Sequence, residues 1–314
     1  MLRNFLIGGV KFRPREDIPD LSGRVILVTG GNSGLGLETI RQLVQHKPAR
    51  IYLAARSAAK ADEAIKQLQK SQPGAGELPI SHLSLDLSSF DSIKSAVATF
   101  KKAETRLDIL INNAGIMMVP EGLTKDGYEI QLGTNHLGHA LLTQLLLPTL
   151  QATTKLNPDV RVVTLSSGSE SFGPKTLYPV ESFKSTMPKF STQHRYAISK
   201  AANLHYSSAM AQRYKEIRFV CVHPGSVLTN LADTVMKNEG VLFKAFLIAY
   251  TVMFITKPEQ GALNQLWASV SPDAVSGEFY HPVGLAGKGS HHVKNMKEQE
   301  QLWDWTQEEL KAHL

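Results

Sequence analysis

The sequence predicts an α/β fold in one domain, with a doubly wound parallel sheet that carries helices on both faces. Short apolar runs alternate with segments of helical spacing from residue 23 onward, and a glycine cluster directly follows the first run. Continuous apolar strands that alternate with helices are typical of a parallel sheet buried on both faces. Such sheets bind ligands beyond the carboxyl ends of their strands, so the residues after each strand are the candidates for chemistry.

The elements follow in regular order along the chain. Apolar runs predict strands at residues 24–29, 50–54, 80–85, 107–111, 160–165, 217–222 and 277–281. Helical periodicity predicts helices at residues 35–46, 58–69, 88–102, 133–150 and 196–214. Ser88 or Ser89 is the expected N-cap of the third helix. This repeated strand–helix order is that of a Rossmann fold.

The two ends of the chain differ from this pattern. Residues 1–22 are predicted to be an irregular lead-in, because Pro14 and Pro19 disfavour a helix. Residues 283–314 form a tail with a charged helix at 290–313. We expect its two tryptophans, Trp303 and Trp305, to dock on the body of the domain at 23–282.

Composition is that of an ordinary globular chain. The 314 residues are 42% hydrophobic and 20% charged, which excludes a disordered protein, a collagen-like fibre and a disulfide scaffold. The net charge of +6 is not gathered in basic blocks, so no nucleic-acid partner is expected. A single cysteine, Cys221, fits a reducing, cytoplasmic location, and no signal peptide or membrane-spanning run is predicted. No metal site is expected either.

The first strand leads into the sequence TGGNSGLG at residues 29–36. One glycine allows the tight turn, another lets the backbone approach a pyrophosphate, and the last lets the helix pack close to the strand. The helix N-terminus then offers free N–H groups to phosphates. We therefore expect nucleotide contacts from Gly30, Asn32, Ser33, Gly34, Leu35 and Gly36.

The later strand ends indicate which nucleotide is bound. Arg56 follows the second strand where an NAD-binding protein would carry an acid, and its guanidinium suits a ribose 2′-phosphate, so NADP(H) is predicted. Lys60 either adds a second positive charge or is an ordinary solvated lysine. Asp86 and Leu87 follow the third strand at the expected adenine edge. Small residues follow the fourth strand and leave room for the cofactor: Asn113, Ala114 and Gly115.

Tyr196 and Lys200 lie four residues apart and therefore share one face of a helix. A free tyrosine has a pKa of about 10, which a nearby ammonium would lower towards the range useful for proton transfer. Ser166 and Ser167 end the fifth strand at the same edge of the sheet, where a hydroxyl can hydrogen-bond a carbonyl or alkoxide.

Together these stretches resemble the short-chain dehydrogenase/reductase family. The match covers about residues 22–282 and includes TGGNSGLG, DL at 86–87, NNAG at 112–115, TNHLGH around Asn135, SSG at 166–168, YAISK at 196–200 and HPGSVLT at 223–229. The resemblance implies an oxidoreductase that moves a hydride between NADP(H) and a carbonyl or alcohol. It also implies a catalytic tetrad of Asn135, Ser167, Tyr196 and Lys200.

Each member of the tetrad has an implied role. Asn135 holds a backbone kink and a water, and Ser167, the second serine of its pair, positions the substrate oxygen. Tyr196 is the general acid or base. Lys200 binds the nicotinamide ribose and lowers the tyrosine pKa. The resemblance further implies contacts to the nicotinamide carboxamide from Pro224, Gly225, Val227 and Thr229.

Within the family the chain is most similar to the retinol-dehydrogenase-like branch, a pattern also found in fungal natural-product tailoring reductases. The family places a substrate lid at residues 229–256, and thirteen of the sixteen residues at 241–256 are apolar. This composition favours a lipophilic substrate. The alternatives are peripheral contact with a membrane surface and a purely structural helix.

The family pairs the helices at 133–150 and 196–214 across a two-fold axis, which implies a homodimer unless the apolar segment or the tail blocks that surface. Two other functions remain open at this point. One is a non-catalytic NADP(H)-binding sensor, and the other is a dehydrogenase of retinol or steroid type at a membrane surface.

Overall fold

The structure is a computed structural model that describes residues 9–72, 74, 76–225 and 257–314. Within these ranges seven strands form one parallel sheet in the order β3-β2-β1-β4-β5-β6-β7. The strands are β1 (Val25–Thr29), β2 (Arg50–Ala55), β3 (Ile80–Ser84), β4 (Ile109–Asn112), β5 (Arg161–Leu165), β6 (Arg218–Val222) and β7 (Phe279–Tyr280). The chain starts at the centre of the sheet, runs to one edge and crosses to the other, which confirms the predicted doubly wound α/β fold.

Burial on both faces explains the continuous apolar runs of the strands. All five residues of β1 are buried. Because successive side chains point to opposite faces, Leu27 joins the hydrophobic cluster on one face of the sheet, while Ile26 and Val28 join the cluster on the other. A polar residue at any of these positions would be buried away from water. A parallel sheet covered on both faces therefore requires consecutive apolar residues in its strands.

Helices cover both faces of the sheet. They are α1 (Pro14–Asp17), α2 (Gly34–Leu43), α3 (Ala58–Lys70), α4 (Phe90–Ala103), α5 (Ile130–Leu132), α6 (Gly138–Thr154), α7 (Thr192–Arg213), α8 (Pro258–Gly261), α9 (Leu263–Val270) and α10 (Met296–Leu310). Helices α4, α6 and α7 pack on one face, and α10 packs on the outer side of α7. Helices α2, α3 and α9 pack on the other.

Two helix starts differ from the sequence prediction. The lead-in contains the short helix α1, with Pro14 in its first turn, where the missing N–H of proline is not needed. Helix α7 begins at Thr192 rather than at 196, because the Ser191 hydroxyl accepts a hydrogen bond from His194 N at 3.2 Å and caps the helix. For α4 the cap is Ser89, one of the two predicted serines.

Three other elements are irregular. The helix predicted at 133–150 consists of α5, a π-helical turn at Gly133–Leu137 and then α6. The tail helix is broken at Asn295 into a 3-10 turn at His291–Lys294 and α10. The last strand is only two residues long, and α8 and α9 were not predicted.

Both tail tryptophans pack on the body, as expected. Trp303 stacks on Tyr206 of α7, with ring centroids 5.6 Å apart, and Trp305 meets Phe183 edge-on at 4.8 Å. In addition, Thr306 Oγ1 lies 2.9 Å from Nε2 of His136 in the π-helical turn. The tail therefore covers part of the outward face of α7.

The predicted lid at 229–256, the apolar segment 241–256, Val227 and Thr229 lie outside the described residues. No helix in the described ranges is long and apolar enough to cross a bilayer.

The buried imidazole of His136 makes the stability depend on pH. Burial lowers its pKa to about 3, against about 6.5 in an unfolded chain. The unfolded state thus binds the extra proton between these values, so the free energy of unfolding should fall as the pH drops below about 6.5. His136→Gln should reduce that slope by about 1.4 kcal/mol per pH unit, the value for one proton.

Urea unfolding between pH 4 and pH 7.5 measures this slope. His291→Gln is the matched control, since His291 is exposed on the tail, and it should leave the slope unchanged. Equal slopes for the parent chain and His136→Gln would contradict the prediction.

Candidate active site

The loop between β1 and α2 leaves the start of α2 open. The N-cap residue Ser33 makes no side-chain hydrogen bond to the helix, so the first N–H groups of α2 remain available to an anion. Gly30 and Gly34 have φ values of +66° and +53°, a region that favours glycine. A Cβ on Gly36 would lie 2.4 Å from the Gly30 carbonyl oxygen. The glycines at 30, 34 and 36 are therefore required by the turn and by close packing.

Thr29, the last residue of β1, joins this loop to the segment after β4. Its Oγ1 accepts hydrogen bonds from the N–H groups of Asn113 and Ala114, each at 2.9 Å. It also lies 2.9 Å from His139 Nε2. Because His139 Nδ1 faces the Asn135 carbonyl oxygen at 2.9 Å, which can only accept, the proton belongs on Nδ1 and Nε2 accepts from Thr29. Burial lowers the pKa of His139 to about 4, so the ring is neutral.

The carboxyl end of β2 is positively charged. Arg56 and Lys60 are both exposed there. Burial raises the pKa of Asp86 after β3, but hydrogen bonds from Ser88 and the charge of Arg56 outweigh it, so the pKa is lowered overall. Arg56 thus lies close enough to act on the carboxylate of Asp86 while its own guanidinium stays open to solvent.

The other predicted cofactor residues occupy the same edge of the sheet. Leu87 is buried, and a Cβ on Gly138 of α6 would lie 2.4 Å from its carbonyl oxygen. The Asn113 side chain is already engaged, since Nδ2 donates to the Thr29 carbonyl oxygen at 2.8 Å. Gly225 follows β6 and Pro224 with a φ of +84°.

Asn135 lies in the π-helical turn and is fully buried. Its Nδ2 donates to the Ile116 carbonyl oxygen at 2.9 Å and to Ser199 Oγ at 3.0 Å. Its Oδ1 accepts from Ile116 N at 2.8 Å. A Cβ on Gly115 would lie 3.3 Å from Asn135 Oδ1 and 3.4 Å from Lys200 Nζ. This glycine therefore keeps open the space between the asparagine and the lysine.

Tyr196, Lys200 and Ser167 meet at the carboxyl ends of β5 and β6. Lys200 Nζ lies 5.8 Å from the centre of the Tyr196 ring and donates to the Leu165 carbonyl oxygen at 3.1 Å. The Ser167 hydroxyl donates to Ser169 Oγ at 3.1 Å and lies close enough to the phenol of Tyr196 to lower its pKa. By contrast, Ser166 Oγ donates to the Lys200 carbonyl oxygen at 2.7 Å. The first serine of the pair thus holds the helix, and the second faces the tyrosine.

Burial dominates the proton affinities of this cluster. It raises the pKa of Tyr196 to about 12, and hydrogen bonding with Ser167 opposes only part of that rise. It lowers the pKa of Lys200 to about 8. Burial outweighs the effects that lower the pKa of Tyr196 in this structure, and the role of Lys200 in lowering that pKa stays a prediction. At neutral pH the phenol therefore holds its proton.

The geometry adds residues that were not identified from the sequence. His139 and Thr29 connect the loop at 29–36, called here the phosphate loop, to the π-helical turn. Ser199 anchors Asn135 to α7. His139 is the second histidine of TNHLGH, so its place in this motif could have indicated it from the sequence. Tyr178, in the loop before α7, is engaged away from the cluster, with its hydroxyl 2.8 Å from His205 Nδ1.

Comparisons with known proteins agree with this architecture. The family model described as short chain dehydrogenase matches residues 24–240. A curated short-chain dehydrogenase/reductase of Armillaria gallica is 38% identical over 304 residues, which cover 95% of this chain and 94% of that protein. Another from Aspergillus calidoustus is 36% identical over 312 residues and covers 94% and 96%.

Solved structures show the same fold. A crystal structure of an uncharacterised protein from Mycobacterium paratuberculosis superposes with a TM-score of 0.73 at 29% identity, covering 96% of this chain and 98% of the other. An NADPH-bound carbonyl reductase from chicken fatty liver gives a TM-score of 0.64 at 23% identity and covers 88% and 98%. With the family model and the curated relatives, the chain belongs to the short-chain dehydrogenase/reductase family, a family of oxidoreductases that use a nicotinamide cofactor.

Proposed function

We propose that the chain is an NADP(H)-dependent oxidoreductase that transfers a hydride between the nicotinamide and a carbonyl or alcohol carbon of a lipophilic small molecule. The cluster of Tyr196, Ser167 and Lys200 carries this proposal. It lies at the same edge of the sheet as the open N-terminus of α2, so a dinucleotide bound to the loop at 29–36 could extend towards it. When bound, the cofactor supplies or accepts the hydride.

The residues around the site fit a dinucleotide phosphate. The uncapped start of α2 provides N–H donors for a pyrophosphate, and the exposed Arg56 provides a planar fork for a 2′-phosphate. Lys60 lies on the same side, one turn into α3. An NADPH-bound neighbour with the same fold supports this choice of cofactor without deciding it.

The protonated tyrosine favours the reductive direction. With a pKa of about 12, Tyr196 is a proton donor at neutral pH and can deliver its proton to the oxygen of a carbonyl as negative charge develops there. Ser167 can hydrogen-bond the same oxygen. The Lys200 ammonium, 5.8 Å from the centre of the Tyr196 ring, can restore the proton of the phenol. Carbonyl reduction is thus the proposed reaction, and alcohol oxidation would need higher pH.

We also propose a substrate class and an assembly. The apolar composition of 241–256 supports a lipophilic substrate. A tailoring step in secondary metabolism is proposed from the resemblance to fungal natural-product reductases alone. Contact of 241–256 with a membrane surface is likewise proposed from composition. A homodimer through α6 and α7 stays a prediction. It would have to use residues of α7 other than those covered by Trp303 or displace the tail.

Tyr196→Phe tests the proposed chemistry directly. Removal of the phenolic oxygen should lower kcat/KM by at least about 10²-fold, the contribution of a positioned acid. NADPH should still bind, because the substitution leaves the loop at 29–36 intact. Turnover is followed as NADPH oxidation with a panel of aliphatic and aromatic ketones, and binding as the fluorescence of NADPH.

Tyr206→Phe is the matched control on the same helix. It removes the hydroxyl that accepts a hydrogen bond from Gln144 Nε2 at 2.8 Å and should leave turnover near the parent value. NADPH binding by a parent chain that reduces no carbonyl would favour the non-catalytic sensor. Near-parent turnover of Tyr196→Phe would disprove the role of the tyrosine.

The pKa of Lys200 should appear in the pH profile. If the ammonium is required, kcat/KM for carbonyl reduction should be level at neutral pH and fall as the pH rises through about 8. Lys200→Arg keeps its charge to above about pH 12, so its residual activity should lack that descending limb. An unchanged limb in Lys200→Arg would assign the ionisation to another group.

Cofactor choice is tested at Arg56. Arg56→Ala should weaken NADPH binding by about 1.5–3 kcal/mol, the value for a lost charge-assisted hydrogen bond, and leave NADH binding unchanged. Arg50→Ala is the control, since Arg50 begins β2 at the opposite end of the strand. Equal dissociation constants of the parent chain for NADH and NADPH, measured by fluorescence titration, would refute the preference.

A further inference from the structure

The segment 116–119 follows Gly115 and borders the cluster. It starts where Asn135 holds both backbone polar groups of Ile116, at 2.8 Å and 2.9 Å. It ends where the Val119 carbonyl oxygen accepts a hydrogen bond from Thr192 Oγ1 at 3.0 Å. Thr192 is the first residue of α7, one helical turn before Tyr196. The segment therefore spans from the asparagine and lysine of the site to the start of the catalytic helix.

Gln131 of α5 fastens the middle of this segment. It is completely buried, and its Oε1 accepts from Met118 N at 2.8 Å. Its Nε2 donates to the Thr192 carbonyl oxygen at 3.1 Å and lies 3.3 Å from Thr192 Oγ1. The orientation of the amide is fixed chemically, because a backbone N–H can only donate and a carbonyl can only accept. A glutamine satisfies both partners at once, and neither glutamate nor an apolar residue can do so.

The backbone at Met118 needs this support. Its φ is +50°, a conformation that costs a non-glycine residue about 1–3 kcal/mol and persists only where the surroundings impose it. The bond from Met118 N to Gln131 acts at that residue. Without it the segment could relax to an ordinary conformation and move relative to α7.

We propose that Gln131 is a positioning residue that sets the wall of the substrate cleft. It ties segment 116–119 to Thr192 and so determines the space between this wall and the phenol of Tyr196. This inference rests on the proposed function in that Tyr196 is taken to act on a carbonyl substrate. The two contacts of Gln131, to Met118 and Thr192, are called the clamp. Binding of a large, rigid carbonyl compound should depend on the clamp. Binding of the cofactor, which is expected at the ends of β1 and β2, should not.

The test compares Gln131→Met, Thr192→Val and Thr192→Ser in the full chain. Gln131→Met keeps the length of the side chain and removes both polar contacts. Thr192→Val removes the hydroxyl that donates to the Val119 carbonyl oxygen, whereas Thr192→Ser keeps it. Gln212→Glu, on the exposed end of α7, is the remote control. Hydrogen exchange of segment 116–119, NADPH affinity, and KM and kcat for diacetyl and phenanthrenequinone are measured for each.

Gln131→Met should speed exchange of the Met118 amide by at least about tenfold, the factor for one lost hydrogen bond. It should raise the KM for phenanthrenequinone by a similar factor and change the kcat for that compound less. The KM for diacetyl should also change less. The affinity for NADPH should stay at the parent value. Thr192→Val should show the same pattern more weakly, and Thr192→Ser and Gln212→Glu should match the parent.

Unchanged exchange in Gln131→Met and Thr192→Val would overturn the clamp. Faster exchange with unchanged KM values would overturn its role in the cleft. If Gln131→Met fails to fold, the pair Thr192→Val and Thr192→Ser decides the same question. If the parent reduces neither carbonyl compound, the proposed function fails for these substrates, while the exchange measurement still decides whether Gln131 holds the segment.

Discussion

The amide of Asn135 holds together three parts of the chain that otherwise share no covalent or sheet connection near the site. Through Ile116 it fixes the segment after β4, through Ser199 it fixes α7, and its own backbone lies in the π-helical turn between α5 and α6. The amide can do this because it both donates and accepts, and because the turn places it inside the protein, where water cannot compete. An apolar residue would leave both backbone polar groups of Ile116 without these partners.

Around this amide the protein buries a lysine and a tyrosine, and burial acts on both in the same sense. Both groups are held towards their neutral forms, so the pKa of the phenol rises and that of the ammonium falls. In the proposed carbonyl reduction the protonated phenol would deliver its proton to the substrate oxygen, and Lys200 would restore it.

The sequence predicted the fold correctly because the fold depends on local patterns, whereas the tetrad, which the family resemblance implies, stays a prediction. Apolar strands that alternate with helices specify a parallel sheet, and the strand ends then bring distant motifs to one edge. It could not predict the direction of the Tyr196 pKa, because desolvation depends on what packs over the ring and not on the spacing of Tyr196 and Lys200. Gln131 was missed for a similar reason, since its partners lie 13 and 61 positions away in the chain. The π-helical turn at Gly133–Leu137 likewise depends on what Asn135 bonds and not on helical periodicity.

The two histidines of TNHLGH connect the π-helical turn to two different parts of the chain. His139 reaches Thr29 at the phosphate loop, whereas His136, next to Asn135, reaches Thr306 on α10. Both rings are buried and neutral, because burial holds their pKa values at about 4 and about 3. They therefore act as hydrogen-bonding links and not as charges. Since His136 bonds the tail and His139 bonds Thr29 at the start of the loop at 29–36, α10 and that loop are both attached to the same helical turn. Both links end within one turn of Asn135, whose amide joins the segment after β4 to α7.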